Sequence, residues 1–505
     1  MKKFFGTIAN GIKKLFNIII KAIKKLFQLI TNKWLLKGTT TVILVALVIV
    51  CYAGLNWGVK QIKIADLDFT TKKLYSLSEQ TKDRLKELDE EITIQLINFS
   101  DYTYLVEYVD KYKIESDKII VEEIEDISTR IDLQEKYGVS VEDSLIIIKT
   151  DEKEKVLTEY DLYTSDYTTD KTIDVTEEAI TNAIVEITID KKPHIYVLEG
   201  KAYNDPEQSL GIVATQLIAE ANEVDLLDII TTGNVPEDCD CLIITTLKQD
   251  LSDLERDKIL EYINNGGKIL MLTSQSSLTV DTPNFDQILA YYGATLDYGV
   301  TFEQSPSKML YETPNMIVTE ASALYLENLD MNLKLFLVSP GSIKFADDEK
   351  LQELNVGYET IAKTSEVSFV RTDFNQNTYS RTDKDSETGS NIVAARVVKI
   401  LSVEEDKYSE LIIFADETFA STAQLIIGNQ SINSVYLYNN EDIVLNSASY
   451  LTDRRDTIVI RKTDETEHYT VTDQQDVIIK TIIFTVPVLI IGFGVVVWAV
   501  RRRKF

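Results

Sequence analysis

The chain has 505 residues, room for two or three folding units, and is 44% hydrophobic, enough for real cores. Charge is uneven: the first 58 residues carry nine lysines and no acid, the last five include Arg501, Arg502, Arg503 and Lys504, and removing those thirteen from the 52 basic residues leaves 39 against 81 acidic ones. Such an acidic body excludes a phosphate-binding, nucleic-acid role, which needs a basic face. An acidic middle between basic ends is instead the pattern of a membrane protein with an external domain.

In chain order, residues 1–38 place Phe4, Ile8, Ile12, Leu15, Ile19, Ile23, Leu26 and Ile30 on one helical face, with Lys13, Lys14, Lys21, Lys24 and Lys25 opposite. This predicts a cytoplasmic basic amphipathic helix lying on anionic lipid, or else docking its apolar face on a partner. Residues 41–59, TVILVALVIVCYAGLNWGV, form an uncharged run long enough to span hydrocarbon. A second span is expected over 479–500, followed by the basic tail 501–505. Lys33 and Lys37 before the first span and RRRK after the second put both termini in the cytoplasm by the positive-inside rule, and the residues between outside.

A small external α/β domain is expected over 60–190. Ser78 is the expected N-cap of a helix, EQTKDRLKELDEE, whose acidic far end opposes its dipole and should fray. Strands over 92–99, 119–124 and 144–149 alternate with helices over 104–114, 133–137 and 176–187. A second domain, over 191–465, opens with PHIYVLEG. Helix 208–221, strand 224–230, strand 241–246, helix 253–264, strand 268–272 and helix 284–292 follow. This α/β order predicts a doubly wound, flavodoxin-like or amidotransferase-like sheet whose strands, buried on both faces, lack clean alternation. Beyond residue 300 the pattern turns richer in strands, near Met316, Leu335 and Val367 and over 392–401 and 410–414. A polar loop is expected over 373–390, a helix over 442–451 and a last strand over 457–461.

Four stretches carry a resemblance: DLDFTTKKLYSLSEQTKDRLKELDEEITI, DVTEEAITNAIVEITIDKKPHIYVLEG, VPEDCDCLIITTLKQDLSDLERDKILEYINNGGKILML, and ELIIFADETFAS with NNEDIVLNSASYLTDRRDTIVIR. In order and spacing they resemble the GldG-type auxiliary subunits of ABC transporters. The resemblance implies a non-catalytic, extracytoplasmic component of the bacterial plasma membrane, working beside an ABC permease and an ABC ATPase. One departure stands out: where members often carry a GHGE-like turn, this chain reads Glu199-Gly200-Lys201-Ala202-Tyr203.

The chemistry that can be read is sparse. There is no GxxxxGK[ST], so the chain carries no P-loop. Cys51 lies in an apolar run, and Cys239 and Cys241 flank Asp240 at the start of a strand, the wrong end for a nucleophile on a turn. They predict no disulfide scaffold and no zinc spacing. His194 and His468, the two histidines, are expected to be ordinary polar positions. No catalytic residue, cofactor or metal ligand is therefore expected. Gly266-Gly267 reads as a helix C-cap rather than a phosphate cradle. Glu199, Asp416 and Glu417 follow strands, where such sheets bind ligands, and are the expected lining of a ligand crevice. Asp68, Tyr75 and Ser78 fall in the stretch after the first span and are the expected permease-proximal junction. The alternative function is a free-standing envelope sensor or binding protein for a glycan or peptide.

Overall fold

The computed structural model describes residues 76–454 and Val50, apart from short stretches at 100–102, 126, 139, 141–142, 167–170, 275–280, 322–332, 377 and 428–429. The basic N-terminal helix, both expected spans and the strand expected over 457–461 lie outside the described residues. Among the described residues, no helix is long and apolar enough to cross a membrane. Met1–Glu79 and Gln80–Phe505 are two compact units, and the architecture below is that of the second.

Helix α1 (Glu79–Lys86) stops before the acid-rich stretch that was expected to fray. A four-stranded sheet follows, built from β1 (Ile92–Ile97), β2 (Ile119–Ile124), β3 (Leu145–Lys149) and β4 (Glu154–Thr158) in the order β2-β1-β3-β4. β1 runs parallel to β2, across helix α2 (Thr103–Glu115), and antiparallel to β3. Helix α3 (Thr176–Thr188) brings Glu177 to this layer. Its carboxylate accepts from Thr81 Oγ1 at 2.7 Å and Tyr108 OH at 2.9 Å, while Tyr112 OH donates to its carbonyl at 3.1 Å. Burial, reinforced by the Glu177 charge, pushes both tyrosine hydroxyls well above their ordinary range, so they remain donors.

The larger sheet has twelve strands among the described residues. Its parallel core consists of β5 (His194–Leu198), β6 (Glu223–Leu227), β7 (Cys239–Thr245), β8 (Lys268–Leu272) and β13 (Lys407–Phe414), in the order β6-β5-β7-β8-β13. Between β8 and β13 the chain makes an excursion, which supplies β9 (Thr313–Ala321), β10 (Leu333–Val338), β11 (Val356–Lys363) and β12 (Ile392–Ser402). β12 pairs antiparallel with β13 and β11 with β12, extending the sheet from its parallel edge.

Both faces of the parallel core are covered. Val197, Ile243, Leu270, Leu272, Ile412 and Phe414 pack with helices α4 (Gly211–Ala219) and α7 (Asn440–Leu451). The alternate residues Leu242, Ile244, Ile269, Met271, Leu411 and Ile413 pack with α5 (Asp253–Asn264) and α6 (Pro283–Tyr291). Each such side chain contributes about 1.5–3 kcal/mol of burial. Local chemistry sets the bounds of α5. Ser252 and Glu255 form a reciprocal capping box, and at the far end Gly266, with φ +94°, and Gly267 donate back to Ile263 and Tyr262, closing a Schellman turn. The Gly266-Gly267 pair is thus a helix terminator, as its sequence implies.

Several expected elements are corrected. The helix expected over 208–221 is two, Pro206–Ser209 and α4, joined at Leu210. The strand expected over 224–230 ends at Leu227, because Asp228 caps a turn of helix, Ile229–Thr232. The loop expected over 373–390 is irregular but anchored. Arg371, 2% exposed, donates to Asp385 through Nε at 2.9 Å and Nη2 at 2.8 Å, and also donates to the carbonyls of Thr378 and Ser380. Its guanidinium lies over the Phe302 ring at 4.7 Å.

The Arg371 hydrogen bonds hold the Asp385 carboxyl down to about 2. A depressed carboxylate contributes stability in full above its unfolded pKa, near 4, and loses it only as pH falls through the folded value. Arg371→Ala should cost about 3–5 kcal/mol in urea unfolding and expose 373–390 to proteolysis, because Asp385 is left buried without its cation. A change below about 1 kcal/mol would show that the loop does not depend on this pair.

Candidate functional site at the carboxyl ends of the parallel strands

β6 and β7 lie on opposite sides of β5, so the chain reverses direction across the sheet there, and the loops leaving the carboxyl ends of β5 and β7 flank the place where open α/β sheets bind ligands. In this protein the two loops are joined. Gly200 takes φ +82°, turning the chain so that Ala202 bridges to Leu247. Tyr203 N donates to Thr246 O at 2.7 Å, and Lys248 N to Lys201 O at 2.9 Å. The Glu199-Gly200-Lys201-Ala202-Tyr203 segment therefore acts as one half of a main-chain clasp.

The acids after β13 enter from the side. Asp416 is 1% exposed and Glu417 4%. Asp416 turns toward the excursion, accepting from Val338 N at the end of β10 at 2.7 Å and from Thr418 N at 2.8 Å. Glu417 turns toward the clasp, accepting from Thr246 N at 3.1 Å and Asn204 Nδ2 at 2.9 Å. Burial pushes the Asp416 carboxyl up to about 7 despite those main-chain donors, and burial likewise raises Glu417 against the bonds from Asn204 and Thr246. Glu199 is half-buried, and its main-chain N–H donates to Leu227 O at 3.0 Å. Of the three expected crevice acids, Glu417 is thus brought to the loop that Glu199 begins, and Asp416 is not. Asn204 and the Thr246 N–H complete the arrangement, and sequence reading missed both. Their partner lies 213 and 171 residues away in the chain, and nothing local marks them.

Of the expected junction, Asp68 and Tyr75 lie outside the described residues, while Ser78 immediately precedes α1, the position expected of its N-cap. Cys239 and Cys241 are free thiols buried at the amino end of β7. Burial raises both, Cys239 to about 12, the opposite of what a nucleophile requires. His194 is no ordinary polar position: its ring nitrogens lie 3.0 Å from Asp238 and 2.8 Å from Asp225. The Asp238-x-Asp240 spacing at the start of a strand, which aims two acids the same way, was the available signal. Among the described residues, no group of three His, Cys, Asp or Glu is placed to hold a metal ion.

Residues 192–447 match the family described as an ABC-type uncharacterized transport system, its auxiliary component. The chain belongs to this family, as the order of its motifs implied, and the family associates it with an ABC transporter. No curated protein matches the chain. Among solved structures it is similar to the mmIFT52 N-terminal domain, at 11% identity and TM-score 0.36 over 51% of this chain and 97% of that one. It is also similar to a ThuA-like protein from Bacteroides uniformis, at 11% identity and TM-score 0.29 over 52% of this chain and 94% of that one.

Two outcomes follow for the acids. Glu417→Ala leaves the buried Thr246 N–H without its acceptor and should cost about 1–3 kcal/mol in unfolding, with faster hydrogen exchange at Thr246. Asp416 is raised in the folded state, so its contribution is full below its unfolded pKa near 4 and is lost as pH rises through about 7. A loss of stability between pH 4 and 7 should therefore be smaller in Asp416→Asn than in the wild type, and an unchanged slope would show that Asp416 is not its source.

Proposed function

We propose that the protein is a non-catalytic auxiliary subunit of an ABC transporter complex, pairing with a permease and an ATPase carried on other chains. In this reading it is anchored in the bacterial plasma membrane by spans over 41–59 and 479–500, with both termini cytoplasmic and the two sheets outside. The basic helix over 1–38 meets anionic lipid, and Asp68, Tyr75 and Ser78 lie against the permease. The observation that carries the proposal is the family match over 192–447. The strand order β6-β5-β7-β8-β13, which is 2-1-3-4-5 in chain order, supports the flavodoxin-like reading of the larger sheet.

Two features favour a non-catalytic role. The sequence has no P-loop. The acids after β13 are engaged by Val338, Thr418, Thr246 and Asn204, a positioning task rather than proton transfer. A ligand entering the crevice would meet Glu199 first, the most exposed of the three acids, with Glu417 holding the wall behind it.

The test is a pull-down from native membranes in mild detergent, through a tag placed after Phe505, with partners identified by mass spectrometry. Recovery of an ABC ATPase together with a multi-span permease is the expected result. Recovery of the chain alone in several detergents would overturn the subunit reading and favour a free-standing envelope binding protein.

A further inference from the structure

The amino end of the same sheet carries a polar cluster that the crevice does not use. His194, the first residue of β5, is 8% exposed, and its ring stacks on Tyr196 with centroids 4.1 Å apart. Nε2 lies 2.8 Å from Asp225 Oδ2 on β6, and Nδ1 lies 3.0 Å from Asp238 Oδ2 just before β7, with Glu223 Oε2 3.8 Å away. The His194 main-chain N–H donates to Asp240 Oδ2 at 2.9 Å. A neutral imidazole has a single N–H, so only the imidazolium can donate to a carboxylate at each nitrogen. Both ring nitrogens thus face a carboxylate oxygen, an arrangement that the imidazolium satisfies at both and the neutral ring at one only.

The surrounding charges are already committed. Lys191 faces Asp240 at 3.5 Å, Lys192 and Lys155 both pair with Glu186 on α3, and Lys153 donates to Ile189 O at 2.7 Å. Asp190 and Glu223 complete the walls of a groove where these residues of the smaller sheet and α3 meet the amino end of the larger one. None of the lysines is paired with Asp225 or Asp238 in place of the ring.

We propose that His194 is a proton-dependent clasp: its imidazolium ties β5 to β6 and to the start of β7, and loss of the proton releases the edge strand β6 and opens the groove. Without that proton, Asp225, Asp238 and Glu223 face one another with no cation between them. Burial by itself favours the neutral ring, but the bonds to Asp225 and Asp238 and their charges outweigh it and raise the His194 pKa. The clasp therefore stabilises in full below the unfolded value, about 6.5, and its contribution is lost as pH rises through the raised folded value.

The full chain in detergent, with histidine alone labelled at Cε1, shows two ring signals because the sequence holds two histidines, and His468→Gln assigns them. The His194 ring should titrate above about 6.5, the free-histidine value. That titration should coincide with a drop in Tm and faster amide exchange in β6. The double variant Asp225→Asn/Asp238→Asn should move both midpoints down, and His194→Gln should abolish the step. A ring that titrates at or below the free-histidine value, or whose titration leaves Tm and β6 exchange unchanged, would overturn the clasp. Should His194→Gln fail to fold, the wild type and the double variant still decide.

Discussion

The larger sheet depends on β13. It pairs parallel with β8, from Lys268↔Glu410 to Leu272↔Phe414, and antiparallel with β12, from Ala394↔Phe414 to Ser402↔Lys407. Everything between β8 and β13 is an excursion whose ends must be brought back together, and closing so long a loop costs entropy that grows only slowly with its length. The return is held by Leu411, Ile412, Ile413 and Phe414, all fully buried and divided between the two faces. Asp416 and Glu417 follow this strand after Ala415 alone, so their placement is inherited from its register.

A very acidic chain must also settle the acids in its interior, and three solutions appear. Glu410 and Asp385 are matched to Arg396 and Arg371. Glu303, fully buried, is met by the N–H groups of Gln304, Ser305 and Ser365 and by the Ser365 hydroxyl. Asp416 and Glu417 take main-chain donors from neighbouring loops, and burial raises both. The first solution supplies a cation and the second a ring of N–H and hydroxyl donors, each compensating the cost of burying a carboxylate; in the third, burial outweighs the donors and raises both acids. The sheet therefore has two unlike ends. At the carboxyl end acids are buried against main chain, and at the amino end a buried imidazole is held between acids more than half exposed.

Legibility in the sequence followed how local each cause was. β2, β8 and α5 match their expected bounds because an apolar run, a Gly-Gly stop and a Ser252–Glu255 box lie within the segment itself. Leu210 breaks the expected long helix because Asp205 and Pro206 start a separate turn, a cap that periodicity overrides on paper. β4 and β11 were missed because their burial is mixed, as edge or half-covered strands are, and only pairing with a neighbour makes them strands. Glu199, Asp416 and Glu417 were found as strand-end acids, but their separation into one that faces the excursion and one that faces the clasp was not legible.

The sequence by itself determined the segregation of charge, the order of parallel strands and helices, and membership of the transporter-auxiliary family, since each is carried by residue type and by spacing along the chain. Only the tertiary structure decided which groups meet the buried acids and which carboxylates face His194. Val338, Thr246 and Asn204 reach Asp416 and Glu417 across 78 to 213 residues, and Asp225 on β6 and Asp238 just before β7 reach His194. The protonation state of a side chain depends on the donors and charges within a few ångströms of it, and folding, not chain order, selects those neighbours.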